Sequence, residues 1–177
     1  MLNAARGEKN EPIHEAIKLE TALQGAWRVS LSLSDRRVFE LGTLEPALVI
    51  GDADALKQLA VILLENAIKY SPDGGMVRLE SKVVGEQVEF TVSNTGPCIP
   101  ASDLPHLFDR FYRADLARTH VKDPGGTGLG LTIAQRITHD HGGEISVSSD
   151  LETGTRFTVR LPVASSSIIE ALLNNTE

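Results

Sequence analysis

Cysteine is nearly absent from this sequence, since Cys98 is the single one among 177 residues. A disulfide within the chain and a zinc site built from cysteine ligands are therefore both excluded. A cysteine content this low fits a reducing compartment.

Long apolar runs are also lacking. No uninterrupted apolar segment approaches the roughly 18 residues that a membrane-spanning helix needs. Charged residues are spread through the first twenty positions, which leaves no apolar stretch for a signal peptide. The sequence predicts a domain that does not itself contact a membrane, so the anchor of any membrane-bound parent would lie outside these residues.

Basic side chains are outnumbered: 17 Lys and Arg against 24 Asp and Glu give a formal net charge of −7. This balance argues against a nucleic-acid-binding protein, which usually presents a basic face. It does not exclude a small anionic ligand, because backbone amides and a few local cations can hold phosphates in an acidic protein. An apolar share of 41% over this length predicts one globular domain with a buried core.

The first third of the chain predicts a helix, two short strands and a second helix. Pro12 suits the first turn of a helix and Gly25 suits its end. Apolar residues alternating with serine predict a strand over 29–33, and another is expected within 35–44. Asp52 suits the N-cap of the clearest helix. The apolar stripe of that helix consists of Leu56, Leu59, Ala60, Leu63, Leu64, Ala67 and Ile68.

The remainder predicts two strand pairs, one further helix and a long loop. A hairpin is expected over 76–92, with its turn at Gly85-Glu86, and a second strand pair is expected over 145–161. A short helix is expected at 101–107. Residues 108–128 lack a steady period and are interpreted as a mobile loop, which at this length is often functional.

The last predicted helix runs from Leu129 to His141, with Ile133, Ala134 and Ile137 facing inward. No internal repeat or domain linker is evident. These elements predict an α+β fold in which one mixed sheet carries helices on one face.

Residues 65–71 of the second helix read Glu-Asn-Ala-Ile-Lys-Tyr-Ser. Asn66, Lys69 and Tyr70 share one helix face through their spacing of three and four residues. An amide oxygen, a cation and an aromatic ring on one face could hold a metal, a phosphate and a base. A solvated helix face is the plain alternative.

Three more segments carry unusual residues. Residues 94–100 follow a strand, and Gly96 would let the backbone approach a flat ligand, although an ordinary turn is the alternative. Residues 107–113 combine three aromatic rings with two arginines, which suits either a functional segment or a hydrophobic anchor for the long loop. Residues 125–131 place glycines at a helix start, where unpaired N–H groups suit a phosphate. They lack the lysine of a P-loop and follow no strand, so a dinucleotide fold is not predicted.

Together and in this order, the four segments resemble the boxes of the GHKL (Bergerat-fold) ATPases, and more narrowly the sensor histidine kinases. Asn66 would mark the N box, 94–99 the G1 box, 108–112 the F box and 126–130 the G2 box. The matching flanks are Gly51-Asp52, His141-Gly142-Gly143 and Gly154-Thr155-Arg156-Phe157. The resemblance covers about 12–163 and implies a two-layer α/β sandwich with a mostly antiparallel mixed sheet and a mobile ATP lid.

The resemblance also implies Mg-ATP as the ligand. Asn66 and Glu65 would bind Mg²⁺, and Glu65 could act as a base or orient a metal-bound water. Lys69 would approach the phosphates, and Arg110 or Arg113 would stabilise the transferring charge. The other residues implied to contact the nucleotide are Tyr70, Asn94, Gly96, Ile99, Phe108, Tyr112, Gly126, Thr127, Gly128, Leu129, Gly130 and Leu131.

The implied reaction passes the γ-phosphoryl group to a histidine on a separate helical dimerisation domain absent from this chain. That domain and a cognate response regulator are the implied partners, and the implied location is the cytoplasmic side of a membrane-anchored parent. The expected division is a disordered segment or linker remnant at 1–11, the catalytic ATP-binding domain at 12–163 and a tail at 164–177.

Two positions depart from the pattern that the sequence resembles. Asn94 stands where an Asp usually accepts a hydrogen bond from the adenine amino group, and a neutral acceptor makes a bond about half as strong. Cys98 replaces the second glycine of the G1 box. We expect a working site with weaker nucleotide binding. The alternative is a degenerate module that senses nucleotide or binds partners without kinase activity.

Two further positions separate the chain from related possibilities. His14 begins a segment that shares only its first two residues with the phosphoacceptor motif, so we interpret it as a surface histidine on the first helix. GHKL hydrolases such as gyrase carry a catalytic Glu one helical turn before the N-box Asn. Ile62 occupies that position here, which disfavours a hydrolase.

Overall fold

The computed structural model describes residues 15–113 and 128–167. Within these ranges the chain forms three α-helices and seven strands. In chain order they are β1 (Glu15–Lys18), α1 (Leu19–Leu31), β2 (Val38–Leu44), β3 (Leu48–Gly51), α2 (Ala53–Tyr70), β4 (Met76–Val84), β5 (Gln87–Asn94), α3 (Gly130–Asp140), β6 (Glu144–Asp150) and β7 (Gly154–Pro162). A single 3-10 turn at Leu104–His106 lies between β5 and α3.

Five of the strands form one mixed sheet in the order β2-β4-β5-β7-β6. β2 runs parallel to β4, and the other neighbours are antiparallel. The predicted α+β class with a mostly antiparallel mixed sheet is therefore confirmed. The expectation of a single sheet is incomplete, because β1 and β3 form a separate antiparallel pair.

The helices cover one face of the five-stranded sheet. α2 buries all seven residues of its predicted apolar stripe, and these pack in one core with alternate residues of the central strands. Those strand residues are Val77, Leu79, Val88, Phe90, Val92, Phe157, Val159 and Leu161. Each wholly buried leucine contributes about 2 kcal/mol of hydrophobic stabilisation. The opposite face is polar and carries ion pairs such as Arg160 with Glu89.

α2 begins where the sequence predicts. The Asp52 carboxylate accepts hydrogen bonds from the backbone N–H groups of Asp54 at 2.8 Å and Ala55 at 3.0 Å. These bonds satisfy amides that have no partner inside the helix. The helix then runs 18 residues to Tyr70. Among the helices of the two described ranges, none is both long and apolar enough to cross a membrane.

The prediction for the start of the chain is wrong. Glu15–Lys18 is a strand paired with β3, so no helix includes these residues. The segment that follows His14 is thus not helical, while Pro12 and His14 themselves lie outside the described residues. Pairing between distant segments leaves no local signal in four residues, which is why the sequence pattern was misleading.

α1 passes through the predicted stop at Gly25 and continues to Leu31, into the strand predicted at 29–33. Its buried side chains recur at helical spacing and outweigh the local cost of a glycine. They are Leu19, Ala22, Leu23, Ala26, Trp27 and Ser30. Val29, Leu31 and Leu33, whose alternation predicts a strand, are 42–48% exposed.

The second half of the chain follows the prediction more closely. Both expected strand pairs are present, and the short helix at 101–107 is reduced to the 3-10 turn. In α3, Ala134 and Ile137 are buried as predicted, but Ile133 is 41% exposed. Thr138 is buried instead, with its hydroxyl donating to the carbonyl of Ala134 at 2.8 Å. Of the predicted loop at 108–128, residues 114–127 lie outside the described ranges.

Candidate functional site

A cleft of about 260 Å³ opens between α2, the 107–113 segment and the start of α3. The second half of α2 contributes Glu65, Asn66, Lys69 and Tyr70 to its wall. The residues from the other segments are Leu107, Tyr112, Arg113, Gly128, Gly130 and Leu131. Three of the four sequence segments that carry unusual residues therefore meet at one cleft.

The α2 wall of the cleft is polar. Glu65 is exposed, whereas Asn66 and Lys69 are half-buried. The Lys69 ammonium lies 5.4 Å from the centre of the Tyr70 ring, within the range of a cation–π interaction. The predicted common helix face of Asn66, Lys69 and Tyr70 thus faces the cleft.

The glycines before α3 meet the 107–113 segment through backbone contacts. Phe111 donates its N–H to the carbonyl of Gly128 at 3.1 Å. Gly128 has φ of 68°, and a Cβ there would lie 2.9 Å from the Cα of Phe111. Only glycine fits this conformation and this approach. In the described structure α3 has Leu129 as its N-cap, without a side-chain capping bond. Its first amides therefore suit an anion.

The two phenylalanines of the 107–113 segment have different roles. Phe108 packs edge-on against Phe157 with ring centres 6.3 Å apart, and its carbonyl accepts a hydrogen bond from Thr132 at 3.0 Å. This contact supports the interpretation of Phe108 as an anchor. Phe111 is 70% exposed at φ of 64°. Arg110 is exposed and does not line the cleft, whereas Arg113 does.

The 94–100 segment contacts the end of α2 and does not line the cleft. Gly96 packs on the end of α2, because a Cβ there would lie 2.6 Å from the carbonyl oxygen of Tyr70. Its close approach is therefore to the protein's own backbone. Asn94 is only 4% exposed and donates through Nδ2 to the carbonyl of Thr95 at 3.1 Å. Asn94, Gly96 and Ile99 do not line the cleft, nor do Phe108 and Leu129.

Ser149 at the end of β6 holds the second half of this segment. Its hydroxyl accepts the N–H of Ile99 at 3.0 Å and shares a hydrogen bond with the Thr155 hydroxyl at 2.9 Å. Its carbonyl accepts a hydrogen bond from the thiol of Cys98 at 3.6 Å. No local sequence pattern identifies Ser149, because its hydrogen-bond partner Ile99 lies fifty residues away in the chain.

The turn between β6 and β7 packs closely against the backbone of Asn94. The Asp150 carboxylate closes the turn by accepting hydrogen bonds from the backbone N–H groups of Glu152 and Thr153. It also accepts a hydrogen bond from the Thr153 hydroxyl, which stabilises the charged carboxylate and lowers the pKa of Asp150. Gly154 then has φ of 77°, and a Cβ there would overlap the carbonyl oxygen of Asn94. Glycine at 154 is thus required by both backbone conformation and space.

A pair of glycines tests this packing. Gly74 has the same φ of 77°, but a Cβ there meets no atom within 4 Å. We expect Gly74→Ala to lower the free energy of unfolding by about 1 kcal/mol through backbone strain alone. Gly154→Ala should cost a further 1–3 kcal/mol, roughly, because the methyl group overlaps Asn94. Urea unfolding of both variants measures the difference, and equal losses would contradict the proposed overlap.

The site also contains oxygen donors for a hard cation. Within the described residues no group of three or more His, Cys, Asp or Glu side chains could hold a metal by itself. Mg²⁺ usually takes only one or two protein oxygens together with substrate phosphates. Glu65 and Asn66, adjacent on the cleft wall, fit that requirement. Gly126 and Thr127, also predicted to contact the nucleotide, lie outside the described residues.

Comparison with known proteins gives consistent matches. Residues 51–165 match the family described as "Histidine kinase-, DNA gyrase B-, and HSP90-like ATPase". The chain is 38% identical over 146 residues to the sensor histidine kinase YkoH of Bacillus subtilis, covering 82% of this chain and 31% of YkoH. It is 35% identical over 165 residues to the sensor histidine kinase CusS of Escherichia coli, covering 92% of this chain and 34% of CusS. The chain thus spans about a third of the length of these relatives.

Solved structures agree. The mycobacterial sensor histidine kinase MprB superposes with a TM-score of 0.76 at 27% identity, covering 84% of this chain and 98% of that one. The nucleotide-free catalytic domain of histidine kinase ThkA gives a TM-score of 0.71 at 25% identity, covering 84% and 95%.

Proposed function

Because the chain belongs to the family of histidine kinase-, DNA gyrase B- and HSP90-like ATPases, we propose that it binds Mg-ATP as the catalytic domain of a sensor histidine kinase. The γ-phosphoryl group passes to a histidine on a separate helical dimerisation domain. The observation that carries this proposal is the cleft in which Glu65, Asn66 and Lys69 of α2 face Gly130 at the start of α3.

The phosphate end of the nucleotide lies between α2 and α3 in this proposal. Asn66 and Glu65 hold Mg²⁺, which when bound neutralises charge on the phosphates. Lys69 adds a positive charge at the same wall. The backbone amides around Gly128 and Gly130, with those of Gly126, Thr127 and Leu129, cap the phosphates. Arg113 at the cleft stabilises the transferring charge, with Arg110 as the second candidate.

The base end lies toward the end of α2. The Tyr70 ring packs against the adenine, and the Asn94 amide oxygen accepts a hydrogen bond from the adenine amino group. Because Nδ2 of Asn94 faces the Thr95 carbonyl, its oxygen is the atom left for a ligand donor. The other residues proposed around the base and ribose are Gly96, Ile99, Phe108, Tyr112 and Leu131.

A hydrolase of the same family is disfavoured. Ile62 lines the cleft at the position where those enzymes carry their catalytic Glu. Its Cγ2 lies 3.5 Å from where a Cβ of Gly130 would be. An apolar group there cannot activate a water, which leaves the phosphoryl group for another acceptor.

Isothermal titration with a non-hydrolysable ATP analogue, with and without Mg²⁺, tests the proposal. Saturable, Mg²⁺-dependent binding is expected. Failure to bind would favour the scaffold form of the alternative, a degenerate module without kinase activity.

The base-end assignment predicts that Asn94→Asp strengthens binding of the analogue. A charged acceptor improves the hydrogen bond to the adenine amino group by about 1 kcal/mol. The substitution also removes Nδ2, and with it the hydrogen bond that Asn94 donates to the Thr95 carbonyl. Equal or weaker binding by titration would therefore mean that the segment is built around the amide.

The parent protein and its partners complete the proposal. We place the catalytic unit at 12–163, with a linker remnant at 1–11 and a tail at 164–177. The end of β7 at Pro162 supports the second boundary. The partners are the helical dimerisation domain of the same kinase and a response regulator. The domain works on the cytoplasmic side of a membrane-anchored parent.

A further inference from the structure

His141 joins the end of α3 to the start of α2. Its Nε2 accepts the backbone N–H of Asp52 at 3.1 Å, and its Nδ1 donates to the carbonyl of Ile137 at 2.7 Å. A carbonyl only accepts and a backbone N–H only donates. Both bonds therefore require the neutral imidazole with its proton on Nδ1.

The contact made by His141 requires glycine at neighbouring positions. A Cβ at Gly51 would overlap the His141 ring, so glycine is needed for the ring to reach Asp52. Gly142 follows with φ of 68° and ends the helix. The two flanking motifs, Gly51-Asp52 and His141-Gly142-Gly143, are thus the two halves of one contact.

We infer that His141 is a positioning residue for the nucleotide site, which rests on the function proposed above. α2 carries Asn66 and Lys69, and α3 begins at Gly130, so the two helices form facing walls of the cleft. His141 contacts α2 at its opposite end, about 20 Å along the helix axis from Asn66. A helix is stiff over this length, so fixing its far end fixes the orientation of the wall.

The contact responds to protonation. A second proton on the imidazole would place an N–H on Nε2 against the N–H of Asp52, and the hydrogen bond would be lost. The charged side chains on the parts of these elements nearest the contact are Glu15 on β1, opposite Gly51, Asp52 and Asp54 at the start of α2, Arg136, His139 and Asp140 on α3, Glu144 on β6, and Arg160 on β7. β3 carries none. The Asp52 carboxylate is already occupied by the N-cap bonds.

NMR of the ¹⁵N-labelled chain tests the tautomer without nucleotide. At pH 7.5 we expect His141 to show a protonated Nδ1 and a bare Nε2 that accepts a hydrogen bond from the Asp52 amide. A protonated Nε2 at pH 7.5 would overturn the inference.

Three variants test the effect on the site. His141→Ala removes the acceptor, and we expect it to weaken binding of a non-hydrolysable Mg-ATP analogue about fivefold at pH 7.5. His141→Gln keeps an acceptor that does not titrate, so it should restore most of that affinity. His139→Ala, an exposed histidine of the same helix end, is the matched control and should leave affinity unchanged.

The pH profile separates positioning from simple stabilisation. Acidification to the point at which NMR shows His141 protonated should cost the unmodified chain more affinity than His141→Gln, while any effect of the other histidines is common to both. Identical pH profiles, or a folded His141→Ala with unchanged affinity, would overturn the inference. If His141→Ala does not fold, the inference is decided by whether His141→Gln loses less affinity on acidification than the unmodified chain does. Absence of nucleotide binding by the unmodified chain would overturn the proposed function as well, whereas a failed tautomer test would not.

Discussion

Asn66→Ala is expected to abolish binding of Mg-ATP while leaving the fold intact. Asn66 lines the cleft beside Glu65 on α2, and its amide oxygen is the proposed ligand of Mg²⁺. Alanine favours the helix, so the change removes a ligand without disturbing α2. Losing an interaction with a charged group costs about 1.5–3 kcal/mol, or roughly 10- to 150-fold in Kd. Because the metal also holds the phosphates, we expect the upper end of that range, a loss that titration would register as absence of binding.

Asn66→Asp should have the same outcome, because it sets a further negative charge against the triphosphate. Gln58→Ala is the matched control, since Gln58 is an exposed amide on the same helix and does not line the cleft. Titration with the analogue measures the affinity, and thermal unfolding checks the fold. Unchanged affinity in a folded Asn66 variant would remove Asn66 from the site.

The second expected result is that this chain binds ATP yet does not phosphorylate itself to a useful degree. Phosphoryl transfer depends mainly on positioning, so a nucleophile that cannot reach an in-line geometry gains little from the site. His14 directly precedes β1, which is paired with β3 in the small sheet. In the proposed mechanism the acceptor histidine belongs to the helical dimerisation domain. Radiolabelled ATP should therefore label the isolated chain only in traces.

Adding the helical domain of the same kinase, in trans or by fusion, should produce acid-labile label on a histidine of that domain. Asn66→Ala and Glu65→Gln should both abolish this label. Glu86→Gln, which changes an exposed carboxylate at the β4–β5 turn, should not. Strong labelling of the isolated chain that disappears in His14→Ala would contradict the prediction and make His14 the acceptor.

Several local features follow from short stretches of sequence. The α2 stripe, the Asp52 cap and the β4–β5 hairpin depend on contacts between residues close in the chain, so their signals are complete within a window of a few turns. The same reason explains the failures at 15–18 and 29–33. There the outcome depends on β3 pairing and on burial of α1, neither of which a local pattern contains.

The sequence by itself determined the segments that form the candidate site, because each carries its unusual residues in consecutive positions. It also determined the α+β class, since alternation and helical spacing are local properties. Only the tertiary structure decided which of these residues meet. It placed Arg113 at the cleft and left Arg110 outside it, set Gly96 against the Tyr70 carbonyl, and buried Asn94 outside the cleft lining. It also joined Asp52 to His141 across 89 positions. Such contacts depend on how the sheet and helices pack, and packing is a property of the whole chain.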